Sequence, residues 1–196
     1  MNSEKYEVEV KIAVHDPLII ETSLIKLGAK KTKIESQTDA YFNHPSRDFE
    51  VTDEALRIRL IEGIPLEADS ASAPVQETEV TYKGPKIDST TKTRLELSLG
   101  IDDIDTATAI LEQLGFRSVA KIRKRRSFFL FDDTVISIDD VEHVGTFLEL
   151  ERVVDSMELI PSARALIFSQ LEKLGIMQSE SIRNSYLELF LRKLHS

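Results

Sequence analysis

The most restrictive feature of this sequence is a set of like-charged pairs two residues apart, each set in a stretch that alternates polar and apolar residues. Glu7/Glu9, Arg57/Arg59, Lys124/Arg126 and Glu149/Glu151 all have this spacing. Side chains at i and i+2 of a strand project from one face, roughly 6–7 Å apart. Like charges held so close repel, and a sheet face that merely meets water intersperses signs and small polar groups. Two acidic and two basic pairs together argue against ordinary solvated strands. They point to charged faces turned into a shared interior, with the apolar faces packed outward under helices. Lys11, Lys83, Arg94 and Glu96 share this setting, and Asp139 interrupts the otherwise apolar run Val135–Val141.

The rest of the chain supplies the elements for such a barrel. Residues 5–13 alternate cleanly, with Tyr6, Val8, Val10 and Ile12 on one face. Further strands are expected at about 30–43, 54–62, 76–83, 92–99, 116–131, 133–141 and 146–154. A helix begins after Asp16 as N-cap, with Pro17 in its first turn, and ends at Gly28. A second covers about 103–114 and closes at Gly115, and two more follow Pro161 and Ser181. Residues 63–77 and 84–92 read as loops, from their turn formers and small residues. A shift of 87 places Glu9 on Glu96, Asp16 on Asp103, Leu27-Gly28 on Leu114-Gly115 and Tyr41-Phe42 on Phe128-Phe129. This pattern predicts a duplicated strand–helix–strands unit with pseudo-twofold symmetry. The expected fold is α+β: a closed antiparallel eight-stranded β-barrel over about 4–155 with surrounding helices, then C-terminal helices over about 157–194, in one domain spanning 1–196.

Composition narrows the chemistry. A net charge of −9 argues against a nonspecific nucleic-acid binder, so any anion site is a local cluster of Lys and Arg. No apolar run is long enough for a membrane helix, and the absence of cysteine suits a reducing cytoplasm and rules out thiolate chemistry. The glycines form neither a P-loop nor GxGxxG, and His15, His44, His143 and His195 are scattered, which suits surface roles. Inside a barrel, the carboxylates are suited to Mg²⁺ or Mn²⁺ and the Lys/Arg cluster to phosphate oxygens.

In order, Glu7-Val-Glu9-Val-Lys11, Asp39-Ala-Tyr41-Phe42, Arg57-Ile-Arg59, Thr81-Tyr-Lys83, Arg94-Leu-Glu96, Lys124-Arg-Arg126, Ile138-Asp139 and Phe147-Leu-Glu149-Leu-Glu151 resemble the motif series of the CYTH superfamily. That superfamily is named for class IV adenylyl cyclase and thiamine triphosphatase, and the likeness covers roughly residues 4–155. Ser185-Tyr186-Leu187-Glu188-Leu189 resembles the ending of the class IV cyclase branch. The resemblance implies metal ligation by Glu7, Glu9, Asp139, Glu149 and Glu151, and triphosphate binding by Lys11, Arg57, Arg59, Lys83, Arg94, Lys124 and Arg126. It also implies catalytic roles for Lys11 and Tyr41. Ser98 and Ser137 depart from residues common in the superfamily. The implied activity is Mg²⁺- or Mn²⁺-dependent conversion of ATP to cyclic AMP and pyrophosphate. An inorganic or thiamine-type triphosphatase and a non-catalytic triphosphate- or polyphosphate-binding protein are the alternatives. The implied partner is a nucleoside or inorganic triphosphate, with no nucleic acid or membrane, and a homodimer is left open.

Overall fold

The computed structural model describes residues 5–66, 76–87 and 91–194. Eight strands form one closed antiparallel barrel: β1 Tyr6–Ala13, β2 Lys30–Asn43, β3 Ala55–Ile64, β4 Gln76–Lys83, β5 Arg94–Gly100, β6 Arg117–Phe131, β7 Thr134–Val141 and β8 Gly145–Val154. Their order around the barrel is β1-β5-β4-β3-β2-β6-β7-β8. Five α-helices surround it: α1 Pro17–Lys26, α2 Phe49–Thr52, α3 Ile104–Gln113, α4 Ile160–Lys173 and α5 Tyr186–Leu194. No helix among the described residues is long and apolar enough to cross a membrane.

The duplication read from the sequence is present in the topology. A shift of 87 carries α1 onto α3, and Asp16 and Asp103 both cap with Oδ1 accepting from two backbone N–H groups. Gly28 (φ 92°) and Gly115 (φ 89°) then take the left-handed position that ends each helix. Exchanging each strand with the one four places along preserves every pairing in the barrel, so β1 neighbours β5 and β2 neighbours β6.

The alternating strands divide the barrel into an apolar outside and a charged inside. Outward-facing Val8, Val10 and Ile12 of β1 join Ile136, Ile138, Leu148 and Leu150 in a core sealed by Leu24 of α1 and by Ala163, Ile167 and Leu171 of α4. Across the barrel, Phe42, Leu56, Ile58, Val80 and Tyr82 pack with Phe49 of α2 and with Ile104, Ala107 and Leu111 of α3. At the end of the barrel near the β7–β8 turn, Tyr41, Ile122, Val141, Phe147 and Tyr186 of α5 form an apolar constriction.

Several boundaries differ from the sequence reading. The last helix starts at Tyr186, not after Ser181. Ile182 N–H instead donates to the Lys11 carbonyl at 2.7 Å, and Ser181 bridges to Ile12, holding this stretch extended. Ser185 and Glu188 then form a reciprocal cap, Glu188 N–H to Ser185 Oγ at 3.1 Å and Ser185 N–H to Glu188 at 2.6 Å. Gly63 and Ile64, expected in a loop, belong to β3, while β4 covers the expected 76–83; residues 67–75 of that loop lie outside the described residues, as do 88–90. The short α2 was not expected from the pattern. His44 is half-buried against Phe116, with ring centroids 5.1 Å apart, whereas His143 and His15 are exposed and His195 lies outside the described residues.

Because Leu171 is fully buried between α4 and the barrel, Leu171→Ala should destabilise the protein by about 3 kcal/mol. Chemical denaturation checks this, and an unchanged midpoint would show that α4 is not part of the cooperative unit.

Candidate functional site

The lumen holds a cavity of about 810 Å³ lined by charged side chains from most strands, including Glu7, Glu9, Arg57, Arg59, Lys83, Arg94, Lys124, Arg126, Glu149 and Glu151. Strand register explains how they meet. Glu9 is directly opposite Glu151, and Lys11 opposite Glu149, across the β1–β8 seam. Arg59 is opposite Asp39 across β2–β3, and Arg126 opposite Asp139 across β6–β7. In the barrel order β1 and β8 are neighbours and lie across the lumen from β2 and β3, so the β1–β8 carboxylates face Arg57 and Arg59 of β3.

The lumenal cations are held by carboxylates beneath them. Arg59 grips Asp39 through a two-pronged fork, Nε to Oδ1 at 2.6 Å and Nη2 to Oδ2 at 2.7 Å. Arg126 forks Asp139 in the same way and also reaches Glu149. Burial opposes the charge on Asp39, but Arg59 and Arg57 hold its carboxyl far below the usual range. Lys83 joins Glu7 at 3.1 Å and Glu96 at 2.8 Å, and Glu96 is drawn down to about 2, against its burial, chiefly by Lys83. Lys124 is less well compensated. It lies 3.7 Å from Asp139, and burial, Arg126 and Arg59 push it down to about 7.

The β1–β8 seam carries excess negative charge. Burial, then Glu7 and Glu9, raise Glu151 to about 8, and burial and Glu149 raise Glu9 to about 7. Glu149 itself stays well below the usual range despite burial, because Lys92, Lys11 and Arg126 surround it. Among the described residues no three His, Asp or Glu side chains converge into a preassembled metal site. Their oxygens are turned instead toward Lys92, Lys83 and Arg126. The donor set nevertheless fits a hard divalent cation: adjacent carboxylates on neighbouring strands, two of them raised by mutual repulsion as well as burial.

Two expected site residues do not reach the cavity. Lys11 is fully buried; its Nζ donates to the Asn184 carbonyl at 2.9 Å and sits 3.6 Å from the centre of the Tyr186 ring. Burial and then Lys92 push Lys11 down to about 7. Asp139 is also fully buried, with both oxygens taken by Arg126 and by the Tyr186 hydroxyl at 2.7 Å. Tyr41 is buried at the constriction and donates to Asp39 at 3.4 Å. Of the departures, Ser98 pairs with Thr81 at 3.1 Å on the lining and Ser137 is buried opposite Glu149.

The sequence reading missed Lys92 and Tyr186 as site residues. Lys92 alternates with Arg94 and Glu96 at the start of the strand expected over 92–99; it lies just ahead of β5 and reaches both Glu9 and Glu149. Tyr186 looked like one apolar position of a C-terminal helix, but its ring lies over Lys11 and near Lys124. The reciprocal cap motif just before α5 was the available clue, because it fixes where that helix starts.

Residues 5–186 match the CYTH domain family. The chain is 41% identical over 183 residues to the Methanocaldococcus jannaschii protein MJ0240, whose name carries adenylate cyclase as a provisional activity, covering 93% of this chain and 97% of that one. It is 28% identical over 188 residues to adenylate cyclase CyaB of Aeromonas hydrophila, covering 94% of this chain and 88% of that one. The solved structure of the PH1819 protein of Pyrococcus horikoshii OT3 superposes with a TM-score of 0.84 at 37% identity, over 95% of this chain and 99% of that one.

Lys124 carries its charge at an energetic penalty that is full below about pH 7 and is relieved as pH rises toward lysine's ordinary value. Lys124→Met should therefore stabilise the protein at pH 6, because burial, Arg126 and Arg59 disfavour the lysine charge more than Asp139 favours it. The gain should be largest below pH 7 and should shrink above it. Denaturation across pH 6–9 reads this, and a destabilised variant at pH 6 would contradict it.

Proposed function

This chain belongs to the CYTH domain family, and from that premise we propose that it is a divalent-metal-dependent enzyme acting on a triphosphate held in the lumen, foremost an adenylate cyclase forming cyclic AMP and pyrophosphate from ATP. The observation that carries this reading is the gathering in one lumen of the β1–β8 carboxylates Glu7, Glu9, Glu149 and Glu151 with six Lys and Arg side chains from β3 to β6. A phosphate chain needs cations. The ion that accompanies it needs carboxylates. The name of the Aeromonas relative supports the cyclase reading. Barrel and C-terminal helices are taken as one working unit, because α5 brings Tyr186 into the charged interior.

In this reading Arg57, Arg59, Lys83, Arg94, Lys124 and Arg126 bind phosphate oxygens. Arg57 is well placed for it, since its Nε is buried without a hydrogen-bonding partner among the described residues. The Asp39 and Asp139 forks fix the planes of Arg59 and Arg126, so little reorganisation is needed as charge shifts toward the leaving group. Asp139 thus positions Arg126 rather than meeting the ion. Glu7, Glu9, Glu149 and Glu151 would hold Mg²⁺ or Mn²⁺, which when bound neutralises phosphate charge and acidifies a nearby hydroxyl or water. Lys11, buried beneath Tyr186, and Tyr41 at the constriction are the groups proposed to relay protons.

The full chain incubated with ATP and Mg²⁺ or Mn²⁺ should yield cyclic AMP and pyrophosphate. Release of orthophosphate from ATP or inorganic triphosphate would instead select a triphosphatase, and no turnover of either would contradict the enzyme reading. Glu151→Gln should lower the rate by about 10- to 100-fold at low Mg²⁺ and recover partly at high Mn²⁺; full activity at low Mg²⁺ would remove Glu151 from the ion site.

A further inference from the structure

Three buried side-chain polar atoms among the described residues lack a hydrogen-bonding partner: Arg57 Nε, Gln37 Oε1 and Gln170 Oε1. Gln170 belongs to α4, whereas Arg57 and Gln37 line the lumen. The two lumenal orphans have opposite needs. Arg57 offers a donor, which phosphate oxygens satisfy. Gln37 offers an acceptor, and an ionised phosphate chain has nothing to give it.

The direction of the Gln37 amide is fixed. Its Nε2 donates to Glu35 at 2.5 Å, and Glu35 is also engaged by Lys33 at 2.5 Å. Turning the amide over would set its oxygen against the Glu35 carboxylate, so the orphan is the oxygen. Gln37 is only 2% exposed, and buried acceptors are seldom left unpaired in folded proteins.

Its surroundings suit an organic group. Across the strands Gln37 is flanked by Ile61 of β3 and Lys124 of β6. Ile61 lines the cavity, whereas Phe128 lies further along β6, opposite Lys33 and with the Lys33 ammonium 4.5 Å over its ring. An aliphatic surface thus accompanies one unsatisfied acceptor beside the phosphate-directed cations.

We propose that Gln37, with Ile61, forms a subsite that reads a hydrogen-bond donor on the organic part of the substrate and so favours a nucleoside triphosphate over inorganic triphosphate. This rests on the triphosphate reading above and adds the residue that discriminates within it. The donor is an N–H of the base or an O–H of the ribose.

Binding to the full chain with Mg²⁺ tests it, using α,β-methylene-ATP and inorganic triphosphate as probes. Gln37→Met keeps the side-chain length and removes the acceptor. It should weaken the nucleotide by about five- to tenfold, the loss of one neutral hydrogen bond, and inorganic triphosphate by less than about twofold. Retained binding of inorganic triphosphate also shows that the variant is folded. Repeating the comparison with the analogue lacking the 6-amino group and with the 2′-deoxy analogue separates the two donor sources, because the Gln37 effect vanishes with the analogue that lacks the donor. Equal weakening of nucleotide and inorganic triphosphate, or no weakening of either, overturns this proposal alone. Failure of the wild-type protein to bind either probe overturns the triphosphate reading and this one with it.

Discussion

Everything in this barrel depends on charge being carried inside it. Burying an ion is costly unless a partner and good hydrogen-bond geometry compensate it. Here the compensation is built mainly at two strand seams. Asp39 on β2 is forked by Arg59 on β3, and Asp139 on β7 by Arg126 on β6. The twofold relation between the halves places Asp39 and Arg126 at equivalent positions, so the seams match while cation and anion are exchanged. Each fork fixes a guanidinium plane from beneath.

The same economy explains why the interior is poised rather than inert. Where pairing is complete, as at Asp39, the charge is strongly held. Where it is incomplete, at Lys11, Lys124, Glu9 and Glu151, burial and like-charged neighbours bring the groups close to neutrality, between about 7 and 8. In the proposed function, a polyanion with a divalent cation would supply the missing partners of Lys124, Glu9 and Glu151 at once. Closure of the sheet makes this possible, because it leaves no edge to solvate and gives α1, α3 and α4 an apolar outer surface to cover.

Much of this was legible in the residue order. Period-two alternation assigned the strands, and same-sign pairs identified the inward face, because side chains two apart on a strand share a face whatever the tertiary context. The asparagine-free caps at Asp16 and Asp103, followed by Gly28 and Gly115, marked both copies of the repeat. What could not be read depended on contacts between distant segments. Tyr186 enters the site only because Ile182 and Ser181 pair with β1 and delay the start of α5. Lys92 stands on the same face as Arg94 and Glu96, but its partner Glu9 follows only from the short β1–β5 seam, where Lys92 N–H donates to the Glu9 carbonyl. The pairing of Arg59 and Arg126 with buried aspartates likewise follows from strand register, so their mutual repulsion is better compensated than their spacing alone suggests.

The central claim is that the lumen is completed by a triphosphate and its metal ion, and thermal unfolding of the full chain tests it most directly. A ligand that binds only the folded state, at a hundredfold excess over its dissociation constant, adds about 2.7 kcal/mol, or a few degrees in the midpoint. Triphosphate with Mg²⁺ at millimolar concentration should therefore raise the midpoint by at least that much, and monophosphate with Mg²⁺ by clearly less. No shift with triphosphate, or the same shift with both, would contradict the account.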